Sequence, residues 1–285
     1  MPRARTRTAV LSAGLVLVAA LGACTGQPPP PRPTEPMAAP PDPRPVADAV
    51  LHRAIDQINQ HRTARTSLRG DLGMVGELNA DGAVRYQGPR TDISLSGQTR
   101  NTRPNPLDLA VIDGTGYVKT PMAQPEPGKP WLRISPGAND FGSKLLGPAL
   151  QQMHQAVDPR ATFTGIEQAT RIQNSAPDNV DGRPATRYDL RVNTARAAEI
   201  APDQQQRERF EEASHEGRRE MGFQLWVDDK GAPVKFAATE DVKQAGEVSL
   251  TSTYREWGSS VDIAAPPRNE VGVFEDAPPV AQPPR

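Results

Sequence analysis

The chain of 285 residues has a single cysteine, Cys24. One thiol cannot form a disulfide within the chain, so core burial alone has to hold the fold. Thiolate catalysis and cysteine-based metal sites lose their residues for the same reason. Aromatic residues are only 5% of the chain, a level that fits an underfilled, ligand-accepting core and equally fits the bias toward Ala, Arg, Gly and Pro. A dominant charge is also missing. With 33 basic and 34 acidic side chains the net charge is −1, which leaves no electrostatic footprint for nucleic acid. The four histidines, His52, His61, His154 and His215, are scattered, and no two have the four-residue spacing of a helical metal pair. Neither a Gly-x-Ser-x-Gly elbow nor a phosphate-cradling glycine loop is present. Asp228 and Asp229 beside Lys230 and Gly231 read as a hairpin tip, and Glu211, Glu212 and Glu216 as a solvated face. Glycosidase carboxylates need only meet in space, yet nothing singles out a pair. The sequence therefore predicts no enzyme, no metal and no cofactor, and without heptads it predicts a monomer.

What is there begins at the amino end. Arg3, Arg5 and Arg7 precede an uncharged run over residues 9–21 that closes in Leu21, Gly22, Ala23 and Cys24. This is the order of a secretory signal peptide. The run is shorter than the roughly 20 apolar residues a transmembrane helix needs. Its end resembles the bacterial lipobox, in which the thiol receives a diacylglyceryl group and cleavage leaves Cys24 as the new amino terminus. An ordinary signal peptide with a cysteine near its cleavage site is the alternative. Lipidation accounts for the single thiol, and two or three acyl chains make a stable anchor. Residues 1–23 are thus expected to be a signal peptide, and 24–46 a lipidated Cys24 with a tether carrying Pro28, Pro29, Pro30, Pro31, Pro40, Pro41, Pro43 and Pro45. In polyproline II at about 3.1 Å per residue, such a tether reaches at most roughly 70 Å. The expected location is extracytoplasmic, anchored to the cell membrane. Residues 266–285, with Pro278, Pro279, Pro283 and Pro284, read as a disordered tail.

Between these ends, residues 47–265 are expected to form one domain. Ala47, Val50, Leu51, Ala54, Ile55 and Ile58 fall at helical spacing. The period then becomes two: Leu68, Gly70, Leu72 and Met74 alternate with polar or small residues, the Asn79 to Gly82 run offers turn chemistry, and Val84 and Tyr86 resume. Further strands are predicted around Ile93 and Leu95, at 109–112, 117–120 and 131–134, with Asp113 and Gly114 as a turn. Leu146, Ala149, Leu150, Met153 and Val157 mark a second amphipathic helix stopped at Pro159. Strands follow at 162–167 and 186–192, at 223–227 and 234–238 around a turn at 228–231, and at 248–254. The fold class is α+β: a strongly curved antiparallel sheet covered by helices. Residues 195–219 stand apart, rich in Gln, Glu and Arg with Phe210 as their one large apolar side chain. They read as a solvated helix or a mobile excursion, either a lid or partner contact or a tolerated surface feature.

The order anchor, tether, helix, strands, helix, strands resembles the LppX/LprG-type lipoproteins and, more distantly, the LolA carriers. The phrases that carry the resemblance are V-I-D-G-T-G-Y-V at 111–118, W-L-R-I at 131–134, D-G-R-P-A-T-R-Y-D-L at 181–190 and L-W-V-D-D-K-G-A-P-V at 225–234. The polar insertion and the long tether depart from the family pattern. The resemblance implies a half-barrel whose concave face is closed by helices over an apolar cavity for lipid acyl chains, binding and carrying a lipid or glycolipid cargo without a cofactor. Leu68, Leu72, Met74, Val84, Tyr86, Ile93, Leu95, Val111, Phe223 and Leu225 are then the strand-face candidates to line the cavity, with Leu146 on a gating helix. A half-barrel with a filled core needs the same residues. The competing reading is an envelope scaffold or regulator that binds a protein partner and carries no lipid.

Overall fold

A computed structural model describes residues 44–73, 76–121, 123–135, 137–242 and 246–275. The leader, Cys24, the tether as far as residue 43, Met74 and residues 276–285 lie outside the described residues.

Helix α1, Arg44–His61, buries Ala47, Leu51, Ala54 and Ile58, the apolar stripe of its 3.6-residue period. It leads into six strands: β1 Thr63–Asp71, β2 Glu77–Gln87, β3 Arg90–Arg100, β4 Pro104–Ile112, β5 Thr115–Lys119 and β6 Trp131–Ile134. Helices α2, Phe141–Val157, and α3, Pro159–Phe163, follow. Next come β7 Thr170–Val180 and β8 Arg183–Asn193, then α4 Thr194–Ile200 and α5 Gln204–His215. The strands β9 Glu220–Val227, β10 Pro233–Val242, β11 Gly246–Arg255 and the short β12 Val271–Gly272 complete the chain.

All twelve strands form one sheet in the order β12-β6-β5-β4-β3-β2-β1-β11-β10-β9-β8-β7. Two meanders are joined where β1 pairs antiparallel with β11, and Leu68 lies opposite Ser252 there. Every pairing is antiparallel except β12 with β6. β12 and β7 are the two edges and do not pair with each other, so the sheet is an open half-barrel. Alternation decides which face is buried. On β1, Ala64, Thr66 and Leu68 are buried, while Arg69 on the other face pairs with Asp81 at 2.8 Å. The buried face carries a single apolar cluster that also takes in the apolar sides of α1 and α2. Phe163, Phe223 and Phe236 meet within it at centroid distances of 5.4, 5.8 and 6.1 Å.

The expected turn at Asp113 and Gly114 is present, and Asp181 and Gly182 make another. Asp113 and Gly114 have φ of 49° and 77°, and Asp181 and Gly182 have 52° and 80°, the left-handed pairs that suit tight hairpins. Two expectations fail here. Asn79 to Gly82 is no turn but the middle of β2, where a Cβ on Gly82 would stand 1.9 Å from the Ser94 carbonyl oxygen of β3. The hairpin bends instead between Asp71 and Glu77, with Gly73 and Gly76 at φ 64° and 89°. Residues 162–167 end α3 and enter a 3-10 turn at Glu167–Ala169, so their alternation belongs to a tight helical connection. The strand lies later, at β7, whose mostly exposed edge carries no apolar period.

Of the two readings of the polar insertion, the solvated helix is the one present, with one narrow side packed. It folds as α4 and α5, with Ala197, Phe210 and Ala213 fully buried. The tail is ordered over 266–275: β12 adds a parallel strand beside β6, and the carbonyls of Phe274 and Glu275 accept from the N–H groups of Gly142 and Phe141 at 3.3 Å. Its prolines deny it a hairpin without denying it an edge.

Candidate functional site

The strand residues predicted to line a hollow are brought together, and they fill it. Leu68, Val84, Ile93 and Leu225 are fully buried, and Leu72, Tyr86, Leu95, Val111 and Phe223 are nearly so, all in one cluster with Leu51, Ile58, Leu150 and Met153 of the helices. Leu146 is partly buried against the same cluster. The expected open cavity is thus occupied by the protein's own side chains. Low aromatic content did not leave it empty, because Tyr86, Tyr254, Phe163, Phe210 and Phe236 are all among the largest fully buried residues.

The cover over this face is held at both ends of α2 and interrupted between them. At the C-terminal end of α2, the Tyr86 hydroxyl donates to the Val157 carbonyl at 3.0 Å and the Tyr254 hydroxyl to the Ala156 carbonyl at 3.3 Å. Burial pushes both phenols well above their usual range, so they remain donors. Asp158 ends α2, caps α3 through the Arg160 N–H at 3.0 Å and receives the Arg160 guanidinium at 3.0 and 2.9 Å. Burial alone would raise the Asp158 carboxyl, but the hydrogen bonds and charge of Arg160 outweigh it and hold the carboxyl below 3.8. The start of α2 is held too, by the Phe274 and Glu275 carbonyls on the N–H groups of Gly142 and Phe141, by the Asp140 cap on Ser143 at 2.8 Å and by Ser143 Oγ, which accepts from the Ser135 N–H at 3.0 Å; the middle of the helix has less. Leu145 is 58% exposed. Pro148, next to Gly147, has no N–H for the Lys144 carbonyl, which breaks the ladder in mid-helix.

Beside the C-terminal half of α2, from Pro148 to Gln155, a groove of about 380 Å³ runs between α2 and α5 with β9 and β10 at its floor. Gln151, Gln152 and Gln155 come from α2, Arg209 from α5, Arg218 from the connection to β9 and Glu240 from β10. Arg209 and Glu240 form an ion pair through Nη2 and Oε1, with side chains 10% and 7% exposed. Gln152 Nε2 donates to the other Glu240 oxygen at 3.4 Å. The guanidinium also lies 5.7 Å from the ring of Phe223, against the apolar core. Burial, reinforced by the charge of Arg218, brings Arg209 down to about 9. Its Nε and Nη1 are buried without an acceptor, as are Gln155 Oε1 and Thr162 Oγ1 without a partner. A narrow extension with room for about one water-sized group, roughly 10 Å³, leads down to Thr162, Val248 and Leu250.

These groove residues were not among the sequence-predicted candidates. The one available signal was the glutamine spacing on α2, residues 151, 152 and 155, at the edge of its apolar stripe; glutamine on a helix flank reads equally well as plain solvation. Among the described residues no group of three or more His, Cys, Asp and Glu is arranged to hold a metal, and no helix is long and apolar enough to cross a membrane.

No family model matches the sequence, and no curated protein matches it. Solved structures do resemble it. LprF from Mycobacterium bovis is similar at 15% identity and a TM-score of 0.47, over 79% of this chain and 99% of that one. The Mycobacterium tuberculosis lipoprotein LppX is similar at 14% identity and a TM-score of 0.46, over 77% and 99%. A LolA superfamily protein from Nitrosomonas europaea is similar at 13% and 0.24, over 74% and 94%. These are proteins of the group that the sequence phrases resemble.

Proposed function

We propose that this chain is an extracytoplasmic lipoprotein, leashed to the membrane through Cys24, that binds lipid acyl chains between α2 and the sheet and carries or presents them in the cell envelope. The observation that supports this reading is the break in α2: a helix held at its two ends, interrupted at Pro148 and lying over an apolar floor. Magnitudes favour exchange of helix for lipid. Lifting Leu146, Leu150 and Met153 off the floor exposes three large apolar side chains, about 6 kcal/mol in all at roughly 2 kcal/mol each. An acyl chain of about sixteen carbons recovers on the order of 13 kcal/mol when its methylenes leave water. The lipid therefore replaces the helix at a profit, and no preformed hollow is required.

The filled core supports a second reading, in which the domain is an envelope scaffold or regulator that docks a protein partner and takes no lipid. Native mass spectrometry separates the two. The compact unit from residue 42 onward is incubated with envelope lipid extracts and sprayed intact. A discrete acyl-lipid adduct is expected; bare polypeptide across several extracts would overturn the carrier and leave the scaffold.

A further inference from the structure

We infer that a notch over Gly116 is the acyl subsite of this chain, shaped for an unbranched alkyl chain, and that Leu150 fills it as a place-holder until a ligand displaces it. This rests on the lipid-binding reading and adds to it which part of the floor the ligand takes and which chains fit. Gly116 is buried on the inner face of β5, with Val111 of β4 opposite it on one side and Ile134 of β6 on the other. A Cβ on Gly116 would stand 2.1 Å from Leu150 Cδ2 and 3.3 Å from Cδ1 and Cγ, so the end of the Leu150 side chain rests on bare backbone. Backbone conformation does not ask for glycine there, because the φ of Gly116 is not positive. In mid-strand a glycine forgoes packing and costs entropy, which marks a place that something else must approach closely. Gly70, Gly82 and Gly97 meet neighbouring backbone and Gly222 the Arg191 guanidinium; Gly116 meets the cover.

The dimensions select the chain. Neighbouring strands lie about 4.8 Å apart, so the Val111 and Ile134 walls stand about 10 Å apart across Gly116. Taking off a carbon contact distance of about 3.5–4.0 Å on each side leaves about 2 Å for atom centres, room for one file of methylenes. A methyl branch sets a second carbon abreast of the first and has to push a wall aside, which a packed interior resists. Val118, two residues on and on the same face of β5, closes one end, so the notch receives the tip of a chain. The place-holder sits on the part of the cover that can give way. Leu150 lies two residues past Pro148, where the helix ladder is broken. Lifting that stretch leaves the Phe274 and Glu275 carbonyls at one end of α2 and the Tyr86 and Tyr254 hydroxyls at the other still bonded. Leu150 is 6% exposed, so its exchange for an alkyl tip trades one apolar filling for another and leaves no hole.

The test is a competition read by native mass spectrometry, in which the full chain meets an equimolar mixture of hexadecanoate and phytanate, the same main chain carrying methyl branches. The added methyls give phytanate more apolar area, so an unselective apolar face takes it in preference. The notch predicts the reverse, with the hexadecanoate adduct in excess by at least about tenfold, the effect of one surplus methylene in a tight apolar pocket. Leu150→Ala empties the notch and should raise the hexadecanoate adduct while keeping the preference. Gly116→Val fills the notch and should remove the preference. Because valine there collides with Leu150, the double variant Gly116→Val/Leu150→Ala, in which added and removed bulk offset, carries the same expectation in a fold without the clash. Equal adducts or an excess of phytanate with the wild type, or a preference for hexadecanoate that survives in the double variant, overturns the notch and leaves the lipid-binding reading standing. If the wild type takes up neither acid, Leu150→Ala decides: a selective hexadecanoate adduct supports the notch, and no adduct from that variant overturns the notch and the acyl reading together.

Discussion

Replacing Arg160 by methionine should unfasten the C-terminal end of α2. The Arg160 side chain is 8% exposed and that of Asp158 3%. Besides its two bonds to Asp158, the guanidinium donates to Asn59 Oδ1 at 2.8 Å, the Gly88 carbonyl at 2.9 Å and Thr91 Oγ1 at 2.9 Å. It also lies 4.6 Å above the ring of Tyr86, whose hydroxyl holds Val157. Methionine fills much of the volume and supplies none of these donors, so Asp158 stays buried with its charge uncompensated. Breaking such a pair from one side costs about 3–5 kcal/mol. For a domain of this size about 1 kcal/mol moves the melting point by roughly 2–4 °C, so the expected drop is about 6–20 °C. Urea unfolding at neutral pH measures the free energy, and a constant slope confirms that the native state is otherwise unchanged. Asp158→Asn alone and the double variant complete a cycle whose coupling should reach about 2 kcal/mol. The depressed Asp158 carboxyl adds a signature. Its contribution is present above 3.8 and lost as pH falls through its folded value; without Arg160 burial raises the carboxyl instead, so the stability gap between wild type and Arg160→Met must narrow as pH falls. A loss below about 1 kcal/mol, or a cycle that closes additively, would refute the clamp.

His154, on the last turn of α2, is held below 6.5 by burial, with Asp158 pulling the other way and Arg160 adding to the fall. The neutral imidazole is the folded form, so stability contributed by this group is complete above 6.5 and lost as pH drops from there toward its folded value. His154→Gln should flatten thermal stability across that window, as calorimetry at a series of pH values will record. Removing residues 271–285 deletes β12 and the carbonyls that accept from Phe141 and Gly142. Hydrogen exchange should then rise at the N-terminal turns of α2 while the amides near Val157 stay protected; equal exchange at both ends would show that the strap carries none of the hold.

Much of the fold is legible in the sequence because one-sided burial writes a period. Helices α1 and α2 repeat their apolar residues at 3.6, and β9 to β11 alternate, since each packs one face on the core. The failures fall where that condition breaks. β7 is a sheet edge whose residues are mostly exposed on both faces, so it leaves no alternation to read. Asn79 to Gly82 has turn composition, yet Ala80 is needed in the core and Gly82 is needed where β2 approaches β3 too closely for a side chain. Pairing with a neighbour that is distant in sequence overrode the local preference. In α5, a low apolar content hid a packed helix, because Phe210 and Ala213 are sufficient to bury one narrow side of twelve residues.

The site was less legible than the fold, for a reason that applies to any covered sheet. Periodicity identifies which side chains turn inward; it carries no account of how much space lies between them. Leu68, Val84, Ile93 and Leu225 give the same pattern whether they face an acyl chain or the side chains of α1 and α2, and here they face the helices. Volume is a property of the opposing element, and what distinguishes α2 as a cover is nonperiodic: a proline at 148, an exposed leucine at 145, two tyrosine hydroxyls and an ion pair at the far end. The groove obeys the same logic. Arg209 and Glu240 are thirty-one residues apart, and no spacing rule joins them. Only when α5 is laid across β10 does an exposed-looking arginine lose its water and come to pair with Glu240.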